Sequence, residues 1–273
     1  MKIKEFIYQT GMRSLRLFWR KRGGRRIRVF GEKFVVTSDT IFPTYRKFPL
    51  PRNQDGTDIV RYCDYVQIHA LVRCLAKITS TSTIVEVGAH HGAYAVLLGK
   101  IAKKVKGRVI AIEPNPEAFK VLSKNIVVNG LKETVTCVQA AVMNSHGVRN
   151  LSLRGEESQI ALTNTTGAYS VQVTTLTDLL KAHEVERVHL LMIDVEGAEL
   201  SVLQSFPWGS VGLEHIYCEL HPYAWRHFGH NGEDVREFLV KHNYRCLDMH
   251  FEEHISFGSD DYIGPCLLLP RKS

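Results

Sequence analysis

The sequence predicts an α/β protein built on a mostly parallel sheet with helices on both faces. Three observations carry this. From residue 83 onward, short apolar runs alternate with stretches of helical spacing. Several of these runs stop at a glycine or an acid where a helical stretch begins, as strands do in open α/β sheets. The chain then closes on two strand-like runs with no helix between them, the pattern of an antiparallel pair.

The elements follow in order. "TIVEVG" (83–88) reads as a strand and "AYAVLLGKIAKK" as a helix. "RVIAIEP" is the second strand, and "PEAFKVLSKNIVVNG" a helix that closes on Gly130, a good C-cap. "TVTCVQAAV" is the third strand. "VRNLSLR" and "AYSVQVTTL" are additional strands around a polar loop, "GEESQIALTNTTG". A short helix in "LTDLLKAHE" precedes the fourth strand, "VHLLMIDV", and "AELSVLQS" is helical. "LEHIYCEL" is the fifth strand and "GEDVREFLVKHN" a helix; "YRCLDMH" and "YIGPCLLLP" form the terminal pair, bringing the main sheet to seven strands. Upstream, residues 30–57 read as a short strand and a Pro-punctuated connection, with a helix over 58–77. The chain thus divides into a basic extension and connection (1–57) and a domain (58–273).

Composition bounds the rest. No run reaches the 18 or so apolar residues of a membrane span, and no apolar stretch leads into a small-residue cleavage site. The six cysteines are scattered without a C-x-x-C pair, which favours free thiols in a reducing compartment. The net charge is +7, yet residues 1–28 hold ten basic residues and one acid; of 35 basic and 28 acidic residues in all, 25 and 27 remain without them. The basicity belongs to the tail. Its arginines alternate with Ile3, Ile7, Phe18 and Trp19, so a helix on an anionic membrane surface competes with an element packed on the domain, and an organellar presequence stands third. The expected location is cytoplasmic, peripheral on the inner face of a membrane if the tail binds one.

Ligands of such sheets bind beyond the carboxyl ends of the strands. The first strand ends in "EVGAHHGAY", where Gly88 and Gly92 permit a sharp turn and close backbone approach, with Ala89 and His90 between them. The second ends at Glu113, 25 residues beyond Gly88, followed by Pro114 and Asn115. An acid there is placed to accept hydrogen bonds from two ribose hydroxyls. The loop lacks the G-x-G-x-x-G spacing that admits a pyrophosphate, which suits a nucleoside without phosphates, S-adenosylmethionine before others. Glu86, inside the strand, is read as an acid near the cofactor's amino group rather than a core acid with a partner. Gln139 and Ala140, after the third strand, either line the adenine pocket or belong to the core.

"TIVEVGAHHGAYAVLLGK", "VIAIEPNPEAFKVLSKNIVVNG" and "HLLMIDVEGAELSVLQ" together resemble the FkbM-type family of S-adenosylmethionine-dependent methyltransferases over roughly residues 58–270. The D-V-E-G-A-E element is the most characteristic part. The resemblance implies a Rossmann-like class I methyltransferase fold, S-adenosyl-L-methionine as cofactor and methylation of hydroxyls on sugars, glycolipids or natural products. The family commonly has Asn where this chain has His90, which adds a titratable group beside a sulfonium and predicts weaker binding at low pH.

The acids of "MIDVEGAEL" then sort by position. Asp194 ends the fourth strand and points into the crevice, near cofactor and acceptor. Glu196 faces substrate or solvent. Glu199 sits in the first helical turn, where a capping acid is the simple reading. The fifth strand ends in Glu219 and His221. In-line methyl transfer needs an aligned nucleophile and a place for its proton, so His221 is the expected general base, oriented by Glu219 or Glu196. Asp194, Glu219 and His221 also suit a divalent metal of the magnesium or manganese kind, although nothing in the sequence requires one. The expected acceptor is a carbohydrate or lipid-linked glycan under a lid from 38–57, 155–170 and 222–232. Two alternatives are weaker: an RNA methyltransferase lacks both a phosphate-tracking body and a polar-Pro-Pro-aromatic element, and a silent scaffold would not need Gly88, Gly92, Glu113 and Asp194 together. No nucleic-acid partner is expected.

Overall fold

The computed structural model describes residues 24–29, 32–37, 74–154, 157–161, 169–248, 252–254, 257 and 264–271. The predicted helix over 58–77 lies outside them up to residue 73 and ends in a 3-10 turn at Leu75–Lys77. In chain order the strands are β1 (Arg25–Val29), β2 (Glu32–Val36), β3 (Thr83–Val87), β4 (Arg108–Ile112), β5 (Val135–Val138), β6 (Ala141–Val142), β7 (Gly147–Arg154), β8 (Glu157–Ala161), β9 (Tyr169–Thr174), β10 (Arg187–Ile193), β11 (Gly212–Leu220), β12 (Tyr244–Leu247), β13 (Glu253–His254) and β14 (Gly264–Pro270). The helices are α1 (Ala93–Lys104), α2 (Pro116–Val128), α3 (Leu176–Ala182), α4 (Glu199–Gln204), α5 (Pro222–Trp225) and α6 (Gly232–Lys241).

The main sheet runs β13-β12-β14-β11-β10-β3-β4-β5. From β11 to β5 every pairing is parallel, while β14 joins β11 and β12 antiparallel. This is the expected class I arrangement, with the two-residue β13 as an added edge. Strand alternation explains the two helical layers, because successive side chains leave opposite faces of a sheet. Val85, Val87, Ile110, Ile112, Leu191 and Ile193 pack with residues of α3, α4 and α6. Ile84, Val109, Ala111, Leu190 and Met192 pack with α1 and α2 instead. Each fully buried aliphatic side chain contributes roughly 1.5–3 kcal/mol, so both layers are bound chiefly by these contacts.

Two regions differ from the sequence reading. The expected third strand, "TVTCVQAAV", is divided: β5 stays in the main sheet, whereas β6 pairs with β9 in a separate sheet of order β6-β9-β7-β8. Gln139 and Ala140 sit at this change of sheet. The polar loop after β7 carries β8, whose alternation is masked in the sequence by Glu157, Ser158 and Gln159. The second difference is upstream. β1 and β2 form an antiparallel hairpin, and Phe34 and Val36 enter the core beside Ile84 and Ala95. Two asparagines of α2 complete the docking: Val35 N–H donates to Asn129 Oδ1 (2.9 Å) and Thr37 N–H to Asn125 Oδ1 (2.8 Å). Hence Arg25, Arg26 and Arg28 belong to a packed hairpin, although the sequence reading grouped them with the tail. Residues 1–23, and the membrane reading that rests on them, lie outside the described residues.

Candidate active site

The loops after β3, β4, β10 and β11 meet at the carboxyl end of the sheet. Gly88 (φ 89°) allows that meeting: a Cβ there would stand 1.7 Å from the Asp194 carbonyl oxygen. Its own N–H and that of Ala89 donate to the Ile112 carbonyl (3.0 and 2.9 Å), and Asp194 N–H donates to Val87 (3.0 Å). Gly92 (φ 76°) answers a different need, since a Cβ there would press on Leu122 Cδ1 at 2.4 Å. Its left-handed backbone and the packing of α2 both favour glycine there.

Glu113 is buried at the end of β4. One carboxyl oxygen accepts from His90 N–H (2.7 Å) and the other from Asn115 N–H (2.8 Å). Burial raises its pKa to about 7 despite those two donors. Each carboxyl oxygen has a second lone-pair direction, so acceptance from ribose hydroxyls remains open. His90 takes up a left-handed backbone (φ 48°), stacks on His91 at 4.0 Å and has its pKa lowered by burial, which keeps the ring neutral near pH 7. Asn115 is the N-cap of α2, its Oδ1 accepting from Glu117 N–H (2.9 Å), with Pro114 before it and Pro116 opening the helix. Ala140 is buried in the core and Gln139 is exposed.

Glu86 tests the cofactor reading. It is buried, and its Oε2 has no hydrogen-bond partner among the described residues. Burial first, then the charges of Asp194 and Glu113, push its pKa well above the usual carboxylate range. A buried acid with an unpartnered oxygen between two strand-end acids offers an acceptor to a polar group of a ligand.

The other half of the crevice is built around His221, which is 5% exposed. Its Nδ1 lies 2.8 Å from Glu199 Oε1, while Nε2 looks toward Glu196 Oε2 at 3.7 Å and toward Asp194 Oδ1 and Glu219 Oε1 at 3.9 Å each. Asp194, Glu196, Glu219 and His221, separated by up to 27 positions, thus do share one crevice. Burial alone would lower the imidazole pKa; the Glu199 hydrogen bond and charge, with Asp194 and Glu196, outweigh it and raise it to about 10. Asp194 is pushed well above its usual range, first by desolvation and then by Glu219. Because 40% of its side chain stays open to the crevice, solvent damps that shift.

Glu199 corrects the sequence reading. It is fully buried, not an exposed capping acid, and accepts from Gly197 N–H (2.7 Å), Trp225 Nε1–H (2.7 Å) and His221 Nδ1–H. It therefore orients His221, the task first given to Glu219 or Glu196. Glu196 instead accepts from the Tyr223 hydroxyl (2.6 Å) and holds a left-handed backbone (φ 53°). Gly197 (φ 112°) lets that turn pass α5, where a Cβ would meet Ala224 Cβ at 2.5 Å. Asp194, Glu196 and His221 also offer atoms within 4.8 Å of one another, close enough for one metal ion; Glu219 lies next to this group.

Comparison with known proteins places the chain in a family. The chain is 26% identical to methyltransferase sdnD of Sordaria araneosa, with 48% of this chain and 62% of that one covered. It is 26% identical to the hexuronic acid methyltransferase AglP of Haloferax volcanii, with 50% and 54% covered. It thus spans little more than half the length of these curated relatives. The crystal structure of methyltransferase FkbM from Methylobacillus flagellatus superposes with a TM-score of 0.46 at 14% identity, covering 71% of this chain and 44% of that one. A sequence model described as the methyltransferase FkbM domain matches residues 86–246, from Glu86 past His221 and over more than half of the sequence, and the chain belongs to that family.

Proposed function

We propose that the protein is an S-adenosylmethionine-dependent O-methyltransferase acting on a hydroxyl of a sugar, glycan or glycolipid. The observation that carries this is His221, held through Nδ1 by the buried Glu199 while Nε2 faces the crevice shared with Asp194. Glu113 would accept the ribose hydroxyls, Glu86 the amino group, and Gly88, Ala89 and His90 would supply the backbone wall. When bound, S-adenosylmethionine supplies the electrophilic methyl group. The chain's own residues then align an acceptor hydroxyl and take its proton. His221 is the proposed proton acceptor at Nε2. With a pKa near 10 its ring is doubly protonated at neutral pH, so it accepts a proton only once that pKa has fallen. A cationic ligand beside it acts in that direction. The printed name of the hexuronic acid methyltransferase favours a carbohydrate acceptor.

A cation-assisted variant of the reading draws on the three carboxylates that surround Nε2 beyond hydrogen-bond distance. Glu199 on Nδ1 is the outer carboxylate that metal-bound histidines commonly carry. In that case His221 Nε2, Asp194 and Glu196 would hold the cation, which would supply Lewis-acid activation of the hydroxyl. Activity that disappears in chelator and returns with magnesium or manganese selects this variant; activity indifferent to chelator selects the base.

A thermal-shift screen with S-adenosylmethionine, S-adenosylhomocysteine and NAD tests the cofactor assignment. Stabilisation by the first two is expected, and stabilisation by NAD alone would end it. The location proposed is the cytoplasm, on the inner face of a membrane through the basic tail. Deleting residues 1–23, which spares the docked hairpin, should abolish binding to anionic vesicles and leave S-adenosylhomocysteine binding intact. Vesicle binding that survives the deletion removes the tail from that role.

A further inference from the structure

We propose that His189, Glu214 and His215 form a metal site of the zinc type at the end of the sheet opposite the crevice. His189 lies near the start of β10, and Glu214 and His215 lie near the start of β11, with His215 paired to Leu190 in register. Their ligand atoms all fall within 4.8 Å of one another. Small side-chain rotations bring such a set to the roughly 2.0–2.2 Å that zinc requires of nitrogen and carboxylate ligands.

His189 is 2% exposed, and its Nε2 stands 2.9 Å from the Cys74 carbonyl oxygen. A carbonyl can only accept, so Nε2 carries the hydrogen. Nδ1 faces Glu214 Oε2 at 3.0 Å, and because the carboxylate can only accept, a cation, either a proton or a metal ion, must lie between the two atoms. The third group is also short of a partner: Nδ1 of His215 is buried and has no hydrogen-bond partner among the described residues.

The surroundings match a metal's outer shell. The Cys74 carbonyl fixes the His189 tautomer from behind, as backbone carbonyls do for ligating histidines. Arg187 Nη1 donates to the other Glu214 oxygen at 3.1 Å and orients it. The two imidazole rings stand at 83° with centroids 5.5 Å apart, so they approach a common point from different directions. Two imidazoles and one carboxylate suit zinc, with water in the fourth position. Arg187 on Glu214, and the charge of Lys77 acting on His215, oppose a divalent ion and weaken the expected affinity. Bound there, the ion would tie the starts of β10 and β11 to the segment around Cys74. The proposal does not depend on the methyltransferase reading.

The experiment is calorimetric titration of the untagged full-length chain with Zn²⁺, with Co²⁺ as a spectroscopic stand-in. His215→Ala and Glu214→Gln, both at half-buried positions, should each remove one equivalent and its visible cobalt bands. Asp194→Asn, which weakens the crevice group, should leave that equivalent in place. At a hundredfold excess over its dissociation constant, zinc should raise the melting temperature by roughly 5 °C, and the increment should vanish in both variants. Absence of zinc binding at micromolar protein, or an equivalent that survives His215→Ala and Glu214→Gln, overturns the site. A proton, not a metal, then joins His189 to Glu214.

Discussion

The two halves of the crevice hold their acids in opposite ways. At the β3–β4 edge, Glu113 is satisfied by main-chain donors, the N–H groups of His90 and Asn115. At the β10–β11 edge, Glu199 is satisfied mainly by side chains, His221 and Trp225, which lie 22 and 26 positions away. In the proposed reading the first edge is a shaped backbone cradle that serves binding, and the second is a side-chain network that serves proton placement, because there the His221 ring stands among carboxylates. The contrast predicts that mutations at the second edge act on turnover and on pH behaviour, while those at the first act on affinity.

The largest expected effect is His221→Ala. Turnover should fall by about 10²–10⁴-fold, the usual span for a lost proton acceptor, with S-adenosylhomocysteine affinity retained. Comparable loss of affinity in calorimetry would erase the distinction between the edges. Glu199→Gln comes next. Removing one partner of a buried charged pair costs about 3–5 kcal/mol, well above the roughly 0.3–1 kcal/mol of an exposed first-turn acid. It should also change the pH dependence of stability. His221 has a folded pKa raised to about 10, so its stabilising contribution is complete below the ordinary value of 6.5 and lost as pH rises through 10. Denaturation midpoints should therefore decline across that window in the unmodified chain and much less in Glu199→Gln. Equal slopes would mean that Glu199 does not hold the proton on His221.

The same contrast explains what could be read from the sequence. The first edge was legible because its logic is local: a glycine where the chain must turn, and an acid at the end of the next strand. The parallel strands and both helical layers were legible for the same reason, as period-2 and period-3.6 patterns of apolar residues. Glu199 was not. Its position in a first helical turn looks like a capping acid, and only the return of β11 and α5 onto α4 buries it against His221 and Trp225. The division of "TVTCVQAAV" between two sheets was hidden because both halves have strand character, and pairing partners are a long-range property. Gly92 was legible as a turn residue, and its φ of 76° agrees, but its contact with Leu122 of α2 is one that spacing does not encode.

The smallest predicted effect is the one that sharpens the first edge. Glu113→Ala removes the carboxyl oxygens that accept from two main-chain N–H groups as well as the proposed ribose contact, and should weaken S-adenosylhomocysteine by about 1.5–3 kcal/mol. Glu113→Gln is cleaner, because it keeps the size and removes the titration. With the carboxyl pKa raised to about 7, the group is mostly protonated at pH 6 and mostly ionised at pH 8. The ionised form accepts more strongly from ribose hydroxyls, so affinity should rise by up to about tenfold across that interval. Folding responds with the other sign. A carboxyl held neutral in the fold but ionised in the unfolded chain makes stability fall between about pH 4.5 and 7 as pH rises. Binding and stability should therefore move in opposite directions where the two windows overlap, between about pH 6 and 7. His90, whose pKa lies below 6.5, adds a loss of affinity only at lower pH, where its ring gains charge. If Glu113→Gln retains the full pH dependence between 6 and 8, the titrating group belongs to the β10–β11 edge instead, and the separation of the two halves fails.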